Sequence, residues 1–310
     1  MTNMGELDSG NISGHDQGFT IVDWNGDGLL DVVTSGSKAK YELLLNEGTP
    51  TEPKLAAPRP ISCDNLELWG TWRVRPAIAE IAQTAGVDRI WVDMEYIGKA
   101  DRQGGMDTVQ SHHGIQDIRN IRNAVSRAEV MVRINPIHDA AEEYGSSREE
   151  VDAAIKAGAQ ILMLPYFKTV AEVRTFVELV ADRARTLLLV ETPEAVEKIH
   201  EILQVPGIDE VFVGLNDLSL GYGHKFMFVP LADGTVERLS KLFAAANLPF
   251  GFGGIASLGK GMLPSECVIR EHYRLGSGCT ILSRSFCDVH KISDLDQVRA
   301  IFTKGIRDIR

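Results

Sequence analysis

Cysteine is scarce in this 310-residue chain, and its spacing excludes two common uses of the residue. The four cysteines, at positions 63, 267, 279 and 287, lie far apart and form no C-x-x-C pair. This spacing indicates neither a zinc site nor a disulfide framework, and it favours a reducing cytoplasm. We expect Cys287 to be a buried thiol rather than a nucleophile.

Excess positive charge and long apolar runs are lacking too. The formal net charge is −11, and no basic stripe is present to offset repulsion by phosphates, which argues against a nucleic-acid partner. No apolar run approaches membrane-spanning length, and the first residues lack the basic end and apolar core of a secretory signal. We therefore expect a cytoplasmic protein without a nucleic-acid or membrane partner.

Acidic and small residues dominate the start of the chain. Residues 1–18 are rich in Gly, Ser, Asn and Asp and are expected to be disordered, and residues 19–60 are expected to form a small β-rich segment. A loop within this segment has oxygen side chains at the spacing of a Ca²⁺ loop, although Thr34 replaces the closing Glu. An acidic turn without metal is the alternative. The predicted ligands are the side chains of Asp23, Asn25, Asp27 and Asp31 and the carbonyl of Leu29.

Strand and helix patterns alternate over residues 61–310. Short apolar runs are typical of buried parallel strands, and amphipathic segments lie between them. Eight strands, most followed by a helix, predict a (β/α)8 TIM barrel. An open doubly wound sheet is the alternative, but no G-x-G-x-x-G follows the first strand. The predicted strands are Glu67–Trp72, Arg89–Asp93, Glu129–Arg133, Gln160–Leu164, Thr186–Val190, Glu210–Val213, Pro249–Gly253 and Cys279–Ser283.

The helical segments carry recognisable start and stop signals. We interpret Ser147–Glu150 as a capping box and Gly158 as a helix stop. The predicted helices are Ala77–Ala85, Ile115–Ala124, Ser147–Ala157, Thr169–Arg183, Pro193–Leu203, Thr235–Ala246, Pro264–Arg274 and Leu295–Ile309.

Polar residues follow the predicted strands at one edge of the sheet. Glu191 and Asp217 follow two strands joined by a helix, so both acids are expected at the carboxyl edge. Two carboxylates there suit a hard divalent cation, and the alternative is that each caps a helix or pairs with an arginine. Together with other polar strand ends they predict a metal-and-anion site. The other strand-end residues are Asp93, Glu95, Arg133, Asn135, Pro165, Tyr166, Asn216 and Arg284.

The large segment resembles the HpcH/HpaI aldolase/citrate lyase family over roughly residues 66–290. Its resembling stretches are Ala77–Ala82, Gly86–Glu95, Met131–Arg133, Ala157–Pro165, Val190–Thr192 and Val205–Ser219. The earlier loop, Asp23–Asp31, resembles a single FG-GAP/VCBS repeat, whose loop lies between β-strands.

The first resemblance implies a divalent-metal-dependent carbon–carbon lyase that joins or separates a pyruvate-type enolate and an aldehyde. It implies that Glu191 and Asp217 hold Mg²⁺, Mn²⁺ or Co²⁺, that Arg133 faces the 2-oxo acid, and that Asp93 assists proton transfer. A cation and a guanidinium would stabilise the negative charge of an enolate. A homo-oligomer is also implied. The substrate-binding residues would be Arg133, Pro165, Asn216 and Ser219.

One departure from the family pattern concerns the acid/base histidine. The chain has Asp93-Met94-Glu95-Tyr96 where the family commonly has Asp-Gly-Glu-His. We expect His113, or else His112, to take that role, with His138 as a further candidate; the alternative is that these are ordinary loop histidines.

Other functions remain open at this stage. Lys168 could form a Schiff base, although its position at a helix start favours a solvated or capping lysine. The same metal and enolate chemistry would suit a phosphoenolpyruvate mutase or an isocitrate-lyase-like enzyme. A non-enzymatic alternative is a Ca²⁺-stabilised binding module with a catalytically silent barrel.

Overall fold

A computed structural model describes residues 19–35, 41–60, 62–63, 66–67, 76–99, 113–141, 144–289, 291–292 and 294–310. The chain divides into two compact units, Met1–Arg75 and Pro76–Arg310. The expected disorder of residues 1–18 lies outside the described residues, and the predicted domain start at residue 61 stays a prediction. No helix among the described residues is long and apolar enough to cross a bilayer.

The first unit contains a four-stranded sheet, paired antiparallel in the order β1-β2-β3-β4. Its loop between β1 and β2 carries the predicted Ca²⁺ ligands. A separate antiparallel pair, β5 with β6, ends at Glu67, so the rest of the predicted strand Glu67–Trp72 lies outside the described residues. The strands are β1 Phe19–Val22, β2 Asp31–Ser35, β3 Tyr41–Leu44, β4 Arg59–Pro60, β5 Ser62–Cys63 and β6 Leu66–Glu67.

The second unit is built on a seven-stranded parallel sheet whose strands follow one another in chain order. Its central strands are apolar and buried throughout, as Ile161–Leu164 illustrates, because helices and the sheet's own interior cover both faces. All seven were predicted from the sequence, with ends shifted by at most two residues. They are β7 Arg89–Asp93, β8 Glu129–Arg133, β9 Ile161–Leu164, β10 Arg185–Val190, β11 Glu210–Val213, β12 Phe250–Ile255 and β13 Cys279–Leu282.

This sheet is strongly curled, since side chains four strands apart touch. Arg89 at the start of β7 donates two hydrogen bonds, of 2.5 and 2.7 Å, to Glu210 at the start of β11. In a flat sheet, strands about 4.8 Å apart would place these two strands roughly 19 Å from each other. The curl is TIM-barrel-like, whereas closure by an eighth strand stays a prediction. The side chains of one hydrophobic cluster pack together on this sheet: those of Trp91, Met131, Ile161, Met163, Leu187, Leu189, Phe212, Cys279 and Ile281.

Amphipathic helices connect the strands. In α3, for example, Val151, Ala154 and Ala157 are buried at helical spacing, and Gly158 ends the helix in the left-handed region at φ 109°. The helices are α1 Pro76–Ala85, α2 Ile115–Ala124, α3 Ser147–Ala157, α4 Val170–Val180, α5 Pro193–Glu197, α6 Ile199–Ile202, α7 Leu215–Gly221, α8 Val229–Ala232, α9 Thr235–Ala245, α10 Ser265–Leu275 and α11 Leu295–Ile309.

Three helix predictions need correction. The capping box lies one residue earlier, with Ser146 as the N-cap and Glu149 as its partner, so Glu150 is available for another contact. Helix α4 ends at Val180, because the next two residues adopt positive φ angles of 49° and 57°. The segment predicted as one helix from Pro193 to Leu203 is interrupted at Lys198.

Candidate metal and substrate site

The carboxyl ends of β7 and β8 are joined by a two-pronged ion pair. Arg133 donates from Nε and Nη2 to the two Asp93 carboxylate oxygens, at 2.8 and 2.7 Å. Burial alone would raise the pKa of Asp93, but Arg133 and Lys99 outweigh it and hold that pKa far below its usual range. Asp93 is therefore a stable carboxylate that fixes the plane of the guanidinium.

Lys99 and Glu95 complete a closed ring of alternating charges with this pair. Lys99 Nζ lies 2.9 Å from Asp93 Oδ2 and 3.6 Å from Glu95 Oε2. Glu95 Oε2 also lies 3.2 Å from Arg133 Nη1. The Lys99 side chain is only 4% exposed and that of Glu95 is fully buried. Each acid thus contacts both cations, and each cation contacts both acids.

Two further acids stand at the ends of β10 and β11, which are parallel neighbours. Glu191 and Asp217 are 3% and 7% exposed. Burial raises the pKa of Glu191 well above its usual range, and repulsion by the Asp217 carboxylate adds to this, whereas Arg133 acts in the opposite sense. The predicted pair of acids is therefore buried, electrostatically coupled and within the field of Arg133.

The local backbone is shaped around Glu191. Tyr166 adopts a left-handed conformation at φ 49° and donates its backbone N–H to Glu191 Oε1 at 3.0 Å. Gly214 leaves space on the other side: a Cβ there would lie 2.6 Å from Glu191 Oε2. Tyr166 is held in a strained conformation, and only glycine permits the close approach at position 214. Both features indicate that the Glu191 carboxylate is tightly held.

The chemistry of these side chains fits a divalent cation. Two adjacent buried carboxylates repel each other, and a cation between them would relieve both this repulsion and the cost of burial. No group of three or more His, Cys, Asp or Glu side chains able to hold a metal occurs in the described part of the chain. The fit therefore rests on Glu191 and Asp217 as a two-carboxylate pair.

The remaining predicted site residues have different surroundings. His113 Nδ1 accepts the backbone N–H of Asp93 at 3.1 Å, which places this histidine beside the ion-pair ring, while His112 lies outside the described residues. Pro165 is buried and Asn216 half-buried. The Ser219 hydroxyl donates to the carbonyl of Met227 at 3.0 Å, an interaction that holds the following loop. The predicted roles of these residues stay predictions.

Two other candidates, His138 and Lys168, are engaged elsewhere. Both ring nitrogens of His138 contact carbonyl oxygens, those of Pro136 at 2.6 Å and Gly145 at 3.0 Å. Lys168 is 43% exposed and pairs with Glu194 at 3.0 Å, a setting that does not desolvate the amine as a Schiff-base lysine requires.

Burial is the main reason why the pKa of the half-buried Cys287 thiol is raised, and the charge of Asp288 adds to it. This shift disfavours the thiolate that a nucleophile needs. A cavity of about 640 Å³ along β13 is lined by none of the predicted site residues.

The predicted Ca²⁺ loop uses its side chains to order its own backbone. Asp23 accepts the N–H groups of Gly26 and Gly28 at 2.8 and 3.0 Å. Asp31, which is fully buried, accepts the N–H groups of Trp24 and Asn46 at 2.9 and 2.7 Å. Calcium binding by this loop stays a prediction.

Sequence reasoning missed several contributors to the site. Lys99 is part of no recognisable motif. It lies four residues after Glu95, but this spacing predicts a side-chain contact only when both residues belong to the same helix. The position of the Tyr166 N–H and the space at Gly214 are backbone features that become visible only when the strands are in place.

A curled parallel sheet with two buried acids and a guanidinium at its carboxyl ends defines a TIM-barrel-like α/β protein with a candidate cation site. The chain belongs to the HpcH/HpaI aldolase/citrate lyase family, whose profile matches residues 72–228, half of the chain.

Two curated relatives are aldolases. A hydroxypyruvate/pyruvate aldolase of Sagittula stellata is 26% identical over 190 residues, which cover 51% of this chain and 66% of the relative. A 2-keto-3-deoxy-L-rhamnonate aldolase of Escherichia coli is 27% identical over 215 residues, with 58% and 71% coverage. The chain thus spans about two thirds of the length of the curated relatives it matches, at 66% and 65% for the two hydroxypyruvate/pyruvate aldolases.

Solved structures support the fold. A family protein from Burkholderia cenocepacia superposes with a TM-score of 0.55 at 18% identity, covering 73% of this chain and 91% of that protein. An HpcH/HpaI aldolase from Desulfitobacterium hafniense gives a TM-score of 0.52 at 20% identity, with 76% and 90% coverage.

Proposed function

We propose that this protein is a divalent-metal-dependent aldolase that makes or breaks the bond between the enolate of a pyruvate-type 2-oxo acid and an aldehyde. The observation that carries the proposal is the buried pair Glu191 and Asp217 at the ends of neighbouring strands, facing the field of Arg133. Family membership and the two named aldolases support the same reaction class.

The electrostatics of the two acids support a divalent cation. Both are buried, and the Asp217 carboxylate adds to the rise that burial causes in the pKa of Glu191. A divalent ion held by Glu191 and Asp217 would relieve this repulsion and would act as a Lewis acid toward the 2-oxo acid.

Arg133 would orient the substrate and stabilise charge. All three guanidinium nitrogens of Arg133 already face Asp93 or Glu95. Each of the terminal nitrogens, Nη1 and Nη2, has one hydrogen left. These hydrogens would bind the oxygen on which the enolate charge develops. Asp93 would keep the guanidinium in this orientation. His113, which contacts the backbone of Asp93, is proposed to move the proton that the aldehyde oxygen gains or loses.

A direct test combines turnover and metal binding. Purified protein is stripped with EDTA, reloaded with Mg²⁺, Mn²⁺ or Co²⁺, and assayed with pyruvate and a panel of aldehydes. Glu191→Gln should abolish both Mn²⁺ binding, measured by electron paramagnetic resonance, and turnover. Glu197→Gln, at an exposed position on α5, is the matched control and should retain both. Metal-independent turnover, or full activity of Glu191→Gln, would refute the proposal.

We also propose that the Asp23–Asp31 loop binds Ca²⁺ as a FG-GAP/VCBS-like repeat does. Its support is the position of the loop between antiparallel strands β1 and β2 and the positive φ angles of Gly26 and Gly28. Calorimetric titration with Ca²⁺ tests it: Asp27→Asn should weaken binding, and no heat in the unaltered protein would reject it. The homo-oligomer, the cytoplasmic location and the eight-stranded closure likewise remain proposals.

A further inference from the structure

The side chain of Asn135 connects two strand ends through its complete set of hydrogen bonds. Its Oδ1 accepts the backbone N–H groups of Tyr96 and Ile97, both at 2.9 Å. Its Nδ2 donates to the carbonyl of Met94 at 3.2 Å and to Glu150 Oε1 at 2.8 Å. A primary amide offers two lone pairs and two hydrogens, so this buried side chain has no capacity left over.

Glu150 on α3 determines which way the Asn135 amide points. An ionised carboxylate only accepts hydrogen bonds, and Glu150 accepts from both Nδ2 and the backbone N–H of Asn135, the latter at 3.2 Å. A flipped amide would set its oxygen against this carboxylate and its NH2 group against two N–H donors. Burial raises the pKa of Glu150, and its hydrogen bonds with Asn135 oppose that rise.

The turn held in this way carries one of the four members of the ion-pair ring. Met94 to Ile97 includes Glu95, whose carboxylate lies 3.2 Å from Arg133 Nη1. The turn follows Asp93 directly, the residue that grips the other edge of the guanidinium. A displaced turn would therefore release one side of Arg133, because Glu95 could no longer reach it.

We propose that Asn135 and Glu150 are positioning residues that fix the Met94–Ile97 turn and thereby set the orientation of Arg133 toward substrate. This inference rests on the proposed aldolase function for its catalytic consequence. The clamp is defined as Asn135 with Glu150, and it acts on Arg133 through the Met94–Ile97 turn. Its loss should lower kcat more than it raises KM, since misplacing a group that acts in the transition state slows the chemical step.

The test uses an isosteric change with a rescue. Asn135→Asp removes both Nδ2 donors and sets a second carboxylate against Glu150. We expect kcat to fall roughly tenfold to a hundredfold with KM changed less than about threefold. Hydrogen exchange of the Tyr96 and Ile97 amides should accelerate in the substrate-free protein. Adding Glu150→Gln to Asn135→Asp returns a donor to the contact and should recover part of both effects.

Controls separate this role from general loss of structure. Asn123→Asp makes the same change at an exposed position on α2. It should alter neither kcat nor the hydrogen exchange of the Tyr96 and Ile97 amides. If Asn135→Asp does not fold, Glu150→Gln alone must accelerate exchange at Tyr96 and Ile97. The proposal would be overturned if a folded Asn135→Asp protein showed unchanged kcat and unchanged hydrogen exchange at Tyr96 and Ile97. The same result in Glu150→Gln, where that variant is used instead, would also overturn it. Lack of turnover in the unaltered protein would overturn the aldolase function, while exchange would still decide the clamp.

Discussion

Arg133 has five N–H groups, and its two acidic neighbours leave few of them for a ligand. Asp93 takes Nε and one hydrogen of Nη2, and Glu95 faces Nη1. Burial opposes the charged form, but Asp93, Glu95 and Glu191 outweigh it and raise the pKa of Arg133 above its usual value. A permanently charged, planar group with its orientation fixed is what binding an enolate edge requires.

Arg133→Lys should therefore be a severe change despite retaining the positive charge. A lysine cannot bridge Asp93, Glu95 and a substrate oxygen at once, so kcat/KM should fall about 10²-fold or more. Steady-state assays with pyruvate and the best aldehyde measure the loss. Arg238→Lys, at an exposed position on α9, should match the unaltered protein. Equal activity of Arg133→Lys would remove the guanidinium from the proposed mechanism.

His272 gives a prediction about stability rather than catalysis. It stacks on Phe252 with ring centroids 3.8 Å apart, and burial lowers its pKa from 6.5 to about 4. The unfolded chain takes up this proton first, so the contribution of His272 to stability should be constant above about pH 6.5. It should then fall by roughly 3 kcal/mol as the pH drops to about 4.

Urea denaturation across this pH range checks the prediction. His272→Gln should be less stable at neutral pH but should lose less stability on acidification. His200→Gln, at an exposed position, should follow the unaltered curve. If the protein lost the same amount of stability on acidification with and without His272, this loss could not be attributed to His272.

At the scale of elements, the backbone of the β11–α7 junction lies against a proposed ligand of the cation. Gly214 separates the last residue of β11 from the helix that carries Asp217. A Cβ at this position would approach the Glu191 side chain at 2.6 and 2.8 Å. The junction therefore has room for the Glu191 side chain only while residue 214 is glycine.

Gly214→Ala should displace Glu191 and weaken Mn²⁺ binding, with a stability cost of about 1–3 kcal/mol from overpacking. Calorimetric Mn²⁺ titration and thermal unfolding report the two effects separately. Gly278→Ala is the control, since the nearest atom to its new Cβ lies 4.0 Å away. Unchanged Mn²⁺ affinity in Gly214→Ala would argue against Glu191 as a ligand.

Elements could be predicted well where one local signal dominates. The apolar runs located all seven parallel strands, and β7, β8 and β11 have the predicted ends. Prediction failed where two signals compete. Ser146 and Ser147 both precede a Glu by three residues, and only the folded chain shows that Glu150 is used by Asn135. The residue pair that sets the turn was for this reason not visible in the sequence.

The candidate site was partly predictable for a similar reason. Strand order places Asp93 beside Arg133 and Glu191 beside Asp217, because parallel neighbours end at the same edge. Lys99 lies beyond the turn that follows β7, and the path of the chain past a strand end does not follow from strand periodicity. The sequence therefore indicated the acids and the guanidinium but not the second cation that balances them.

At the scale of the whole molecule, the amino ends of the strands hold a second ring of alternating charges. Arg89 contacts Glu210 and Glu129, and Arg185 contacts the same two acids. These residues begin β7, β8, β10 and β11. The ring joins strands across the curled sheet, at the end opposite the proposed active site.

Glu210→Gln should destabilise the fold without affecting catalysis. It leaves two arginines short of a partner in a site where the glutamate side chain is 9% exposed, and the expected cost is about 3 kcal/mol. Denaturant unfolding measures it, and Mn²⁺ affinity should be unchanged. Glu237→Gln, which removes two ion pairs at the surface, those with Lys241 and Arg274, should have little effect on either quantity. A drop in Mn²⁺ affinity in a stable Glu210→Gln protein would show that the two ends are not independent.

This ring also bears on the order in which the chain can acquire its shape. Arg89 and Glu210 are separated by 121 residues, so their contact cannot form until β11 has been synthesised. Contacts between residues far apart in sequence slow folding. The entropy of closing a large loop is lost before the contact forms and contributes its stabilising energy. A nascent chain that has emerged only as far as β10 presents Arg89 and Arg185 to Glu129 alone. A chain released at that stage would carry two arginines and one acid of this ring, an imbalance of one positive charge at the amino ends of its strands.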